Sequence, residues 1–223
     1  MRTKTITLTE REAVRVYYDP DPISPREHDN LTTIATWHRH YALGDVQPRI
    51  NPDEYLRDLL ADLSVVYDAD AGLLDLMSAF RRAGGIVQPL WLFDHSGITI
   101  SLAPFSCPWD SGQVGLVTVL PSEIDDAFGD GTEDKIERAM ACLQDEVDTY
   151  DTFLRGAVYG FEVVSEWIDE HGKVMDTEHI DSCWGFIDAD RPGSGALDAM
   201  KWYVADHLHD ALEDAFRNPQ HRA

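Results

Sequence analysis

Lysine is scarce in this chain. Four lysines (4, 135, 173 and 201) and fourteen arginines face 28 aspartates and 13 glutamates, for a formal net charge of −23 over 223 residues. A field of that sign repels phosphate backbones, so direct nucleic-acid binding is not expected. Cysteine is also rare. Cys107, Cys142 and Cys183 are odd in number, widely spaced and without a C-x-x-C pair, which fits neither a disulfide framework nor a zinc ribbon. Long apolar runs are missing as well. The longest are strand-sized, far short of a membrane span, and the polar start MRTKTITLTEREAV lacks the apolar stretch of a signal peptide. A cytoplasmic protein with no membrane association is expected.

What is there points to a folded chain. Hydrophobic residues make up 43 %, enough for a sizeable core. The acidity has two explanations, a salty cytoplasm in which acidic surfaces keep proteins soluble (a halophilic adaptation) or an acidic face that occupies a basic partner. Its spread along the whole chain favours the first.

Residues 86–120 are the organising stretch. Apolar runs at 90–93, 98–102 and 114–120 are separated by His95-Ser96-Gly97 and by a loop from Pro104 to Gly112, which predicts a three-stranded antiparallel meander. Before it, 13–18 and 31–38 read as strands around a loop broken by Pro20, Pro22 and Pro25. Asn51-Pro52-Asp53-Glu54 reads as a helix start, and a second helix is expected over 71–82. After it, a helix is expected over 132–154, strands over 156–168 and 179–187, a linker over 190–195, and a C-terminal helix over 196–216 with Leu197, Met200, Trp202, Tyr203, Leu208, Leu212 and Phe216 inward. With hairpins rather than βαβ units, the fold class is α+β: an antiparallel or mixed sheet of about six strands flanked by four helices, in a single domain over 1–223 with a core region at 26–187.

The segments PREHDN (25–30), WHRHYALGD (37–45), LFDHSGITIS (92–101), PFSCPWDSGQVG (104–115) and DSCWGF (181–186) form a set. Together they resemble an uncharacterised family of hypothetical proteins carried by phages, plasmids and other mobile elements. The resemblance spans Arg26 to Phe186. It implies a mobile-element context and transfers no catalytic residue.

Three constellations could carry chemistry. Cys107 with His95 as base and Asp110 or Asp94 as orienter has the residue types of a nucleophilic thiol site. An eight-residue strand between His95 and Cys107 would hold them ~26 Å apart, which favours His28, His38, His40 or His179 as partner instead. The alternative is a half-buried thiol beside Trp109. Asp19, Asp21, Glu27, His28, Asp29, His38 and His40 offer metal-ligand types without a known spacing, and turn capping explains the aspartates equally well; no metal site is assigned. Finally, SCPWDSG and DSCWGF echo one another. If they converge, Trp109, Ser111, Asp181, Cys183 and Trp184, with His38, would line a pocket for a planar, nucleotide-like ligand, or else form a polar-aromatic mini-core.

The leading expectation is an accessory protein of a mobile element that binds a basic protein partner through an acidic surface, as an anti-defence factor or nucleic-acid mimic. The alternative is an enzyme or small-ligand binder using the Cys/Trp/Asp/His cluster. Eleven acids against two bases between Ser122 and Asp151 make the outer face of the 132–154 helix the expected acidic surface.

Overall fold

The computed structural model describes residues 8–129, 131, 133–187 and 195–220. The chain divides into two compact units, one of residues 24–155 and one assembled from 1–23 and 156–223.

In the first unit a capping box starts α1 (Pro52–Asp62). Asn51 accepts from the Glu54 amide, and the Glu54 carboxylate accepts from the Asn51 amide, which satisfies two of the N–H groups a helix end leaves open. Helix α2 (Leu73–Arg82) follows, and Arg81 in its last turn donates to the Val87 carbonyl at 2.6 Å. Strands β2 (Thr33–Thr36), β3 (Ile86–Asp94), β4 (Ile98–Ser101) and β5 (Ser111–Val119) form an antiparallel sheet in the order β2-β5-β3-β4. Helices α3 (Pro121–Phe128) and α4 (Lys135–Leu154) close the unit. Alternation along the strands gives the sheet two buried faces. Ile34, Leu90, Leu92 and Val117 pack with Leu143, Val147 and Tyr150 of α4. On the other face Val87 and Leu116 pack with Leu56, Leu60, Leu76 and Phe80 of α1 and α2. Each fully buried Leu or Phe is worth ~1.5–3 kcal/mol.

In the second unit β1 (Thr9–Tyr18), β6 (Val158–Ile168) and β7 (Val174–Ile187) form an antiparallel sheet in the order β1-β6-β7. Val14, Val16, Phe161 and Val163 on one face pack with Met200, Val204, Leu208 and Leu212, which lie on α5 (Ala196–Lys201), a 3-10 turn at Asp206–Leu208 and α6 (His209–Phe216).

The α+β class and the antiparallel pairing agree with the sequence reading, but several details do not. There are seven strands in two sheets rather than about six in one, and six α-helices rather than four among the described residues. The third run of the expected meander does not pair with the second. β5 passes β4 and pairs with β3 on its other side, because the loop from 102 to 110 is long enough to return the chain. On the side away from β3, β5 lies close to β2 at Gly115, where a Cβ would sit 2.4 Å from the Ala35 carbonyl oxygen. The expected C-terminal helix over 196–216 is broken between 201 and 209. Its core residues 200, 204, 208 and 212 recur every four positions, and a straight helix at ~3.6 residues per turn would rotate the later ones off the sheet. The break keeps them inward and leaves Trp202 and Tyr203, expected inside, exposed. The expected linker at 190–195 lies, apart from Gly195, outside the described residues, as do the expected helix start at Thr132 and the acid at Asp130. Among the described residues no helix is long and apolar enough to cross a membrane.

Candidate functional site

The thiol constellation comes together at the end of the four-stranded sheet. β4 has four residues, not eight, and β5 begins at Ser111 opposite Phe93. The Asp94 amide donates to the Asp110 carbonyl at 2.8 Å, fastening the 102–110 loop to the hairpin tip. Asp110 Oδ2 then lies 3.6 Å from Cys107 Sγ and 3.4 Å from His95 Nδ1. The strand-length argument against His95 therefore fails: thiol and imidazole flank one carboxylate oxygen. Ser111 Oγ donates to the Cys107 carbonyl at 2.5 Å and shapes the loop from below. His95 stacks on Phe93, which packs on Phe105.

A polar string continues from Asp94. Tyr41 Oη donates to Asp94 Oδ2 at 2.9 Å, and this bond holds the phenol above its ordinary pKa. The His38 ring lies flat on Tyr41 at 4.8 Å. His38 Nδ1 accepts from the amides of His40 and Tyr41, which leaves Nε2 as the protonated nitrogen. His38 is thus a turn-stabilising residue on this string rather than a partner of the thiol.

The order of groups limits the chemistry. A thiol nucleophile needs an imidazole facing sulfur and an acid behind the imidazole. Here the acid stands between them. The His95 side chain is 67 % exposed and that of Asp110 42 %, so water is not excluded from either. Trp109 is 90 % exposed, with its indole in solvent beside Asp110.

Asp181, Cys183 and Trp184 belong to the other unit, so neither unit by itself assembles the two echoing segments. Cys183 sits opposite Phe161 and packs against the core under α5 and α6. Trp184 stacks on Tyr17 at 6.0 Å and covers Gly160, where a Cβ would fall 2.1 Å from its ring. Asp181 is exposed and accepts from the Ser182 amide.

Another part of the motif set pins loops to α4. The Arg26 side chain, 5 % exposed, grips Asp45 through Nε and Nη2 at 3.0 and 2.6 Å and reaches Glu146 through Nη1 at 3.1 Å. Glu146 also accepts from the amides of Leu31 and Thr32 and from the Thr32 hydroxyl. Glu146 therefore belongs to a buried network, not to the acidic outer face. The same face loses Glu123 to the cap of α3 and Asp125 to an ion pair with Lys135. Sequence reasoning overlooked Arg26 and Asp45. The signal for Glu146 was its spacing, three residues from Leu143 and four from Tyr150, which sets it beside the buried stripe. Burial and the neighbouring Glu146 push the Cys142 thiol up, so it is not an activated nucleophile. In the proline-rich loop Asp19 accepts from the amides of Asp21 and Gly185, which is the turn-capping role.

No family model matches the sequence, and neither a curated protein nor a solved structure gives a match.

Proposed function

We propose that the protein is an accessory protein of a mobile element that acts by binding a basic protein partner, with the 102–110 loop and the Asp94–Gly97 turn as its contact. The observation that carries this reading is Trp109, 90 % exposed next to Asp110. A solvated indole recovers hydrophobic free energy when a partner covers it, tryptophan is among the residues most enriched at binding hot spots, and its face with a carboxylate alongside suits an arginine or lysine. Acidity is not confined to one place. Residues 24–155 carry 23 acids and nine bases, and residues 1–23 with 156–223 carry 18 and nine. This even spread supports salt adaptation as the main source of the charge and leaves recognition to local patches.

The enzyme reading draws support from one feature, the meeting of Cys107, His95 and Asp110. Pull-down from the host lysate with the intact protein, Trp109→Ala and Cys107→Ser separates the two. Under the binding reading the intact protein and Cys107→Ser retain the same basic partner, Trp109→Ala loses it, and capture weakens steeply as salt rises. Loss with Cys107→Ser and retention with Trp109→Ala would overturn it. The melting temperature of the isolated protein should rise with salt towards the molar range if the dispersed charge is adaptive.

A further inference from the structure

We propose that the free edge of β7 is a docking site for an extended, lysine- or arginine-bearing segment of a partner protein, which adds to the sheet beside β7 as a fourth strand. This rests on the reading of a basic partner and concerns a surface in the unit that does not hold Trp109.

β7 is a 14-residue strand. It pairs with β6 along one side, and among the described residues no strand lies along the other. Residues 174–181 are all exposed, and Met175 and Ile180 stand in solvent. An edge of this kind is a template for another chain; here the Thr177 and Ser182 amides donate to the side chains of Asp176 and Asp181 and the Gly185 amide to Asp19, contacts that an incoming strand replaces. The eight exposed residues 174–181 at ~3.3 Å offer ~26 Å of this edge.

The register decides which chain fits. Asp176 is opposite Trp167 of β6, which is opposite Glu10 of β1; Glu178 is opposite Ser165, which is opposite Glu12. Asp181 is opposite Val163. Paired residues share a face of the sheet, so Asp176, Glu178 and Asp181 stand together on one face, backed by Glu10 and Glu12. Within this group Ser165 donates to Glu10, and Glu12 contacts His207. Two register shifts, between Val163 and Val164 and between Trp167 and Ile168, lie within this stretch; with the acids they are the usual devices against edge-to-edge pairing. The usual edge lysine is missing, since none occurs from 174 to 187. Carboxylates alone repel a second copy of this edge, which would set like charges opposite one another. They attract a strand whose alternate residues are basic.

The test uses the full-length protein with a ten-residue peptide alternating lysine and threonine. A glutamate–threonine peptide and a lysine–threonine peptide interrupted by prolines serve as controls, the last keeping the charge while losing ladder hydrogen bonds. Amide exchange across 174–187 and titration are the readouts. The uninterrupted basic peptide is expected to bind and to slow exchange along β7. The variant Asp176→Asn/Glu178→Gln/Asp181→Asn, changed only at exposed positions and checked for an unchanged melting temperature, should bind about tenfold more weakly. Equal binding of the proline-interrupted peptide, absence of slowed exchange, indifference to the triple substitution, or a dimer whose β7 is already protected would each overturn the proposal. Trp109→Ala should leave this peptide's binding intact, which keeps the result separate from that of the 102–110 loop. A lysate pull-down lost with the triple variant but not with Trp109→Ala would uphold β7 while rejecting the loop.

Discussion

Arg26 and Asp45, nineteen residues apart, meet in a two-pronged ion pair whose arginine is almost wholly buried. Fixed forks of this kind hold geometry as well as charge, and the third prong on Glu146 ties the loop before β2 to α4. Arg26→Ala leaves two carboxylates without their counter-charge and should cost ~3–5 kcal/mol in urea unfolding. Arg26→Lys should recover only part of this, because an ammonium cannot serve both carboxylates in the plane. Glu137→Gln, on the exposed side of the same helix, should change stability by less than ~0.5 kcal/mol.

Glu166 gives the pH prediction. Burial opposes its ionisation, but hydrogen bonds from Arg15 and Arg11 outweigh burial and hold the carboxyl below its ordinary range. The folded state therefore binds fewer protons than the unfolded state just below ~4.3, the ordinary glutamate value. Stability from this group is complete above that value and is lost as pH falls through the lower folded value. Thermal melts of the intact protein and Glu166→Gln should differ at pH 7 by ~1–3 kcal/mol, with the gap closing below about pH 4.

Gly160 and Trp184 give the third. With a Cβ only 2.1 Å from the ring, Gly160→Ala must displace the indole and should cost ~1–3 kcal/mol. Tryptophan fluorescence should shift with it. Combining Gly160→Ala with Trp184→Leu should cost less than the sum of the two, since the clash exists only when both groups are present.

Local signals were legible in the chain. Asn51 and Glu54 announced α1 by their spacing, and His95-Ser96-Gly97 announced the turn between β3 and β4, where Ser96 takes a φ of 58°. Non-local choices were not legible. Nothing near residues 111–119 says that they pair with β3 rather than β4, because that depends on the reach of the preceding loop. The Cys107–Asp110–His95 cluster was legible in residue type but not in distance, since the estimate needed the length of β4. Glu146 read as a solvated charge because its partner, Arg26, lies 120 positions away.

The unit of residues 24–155 is continuous, whereas the other is built from both sides of it. Thr9 at the start of β1 pairs with Ile168 at the end of β6. During synthesis the chain therefore delivers β1 first and its partner last. Residues 24–155 can complete their core while β1 still has no neighbour, and only after β6 emerges can the second sheet close. Loop closure over that span is slow, and an unpaired strand waiting on the ribosome is open to wrong partners. In β1 the early positions Glu10, Arg11, Glu12 and Arg15 alternate in sign, which keeps the waiting segment solvated until β6 arrives.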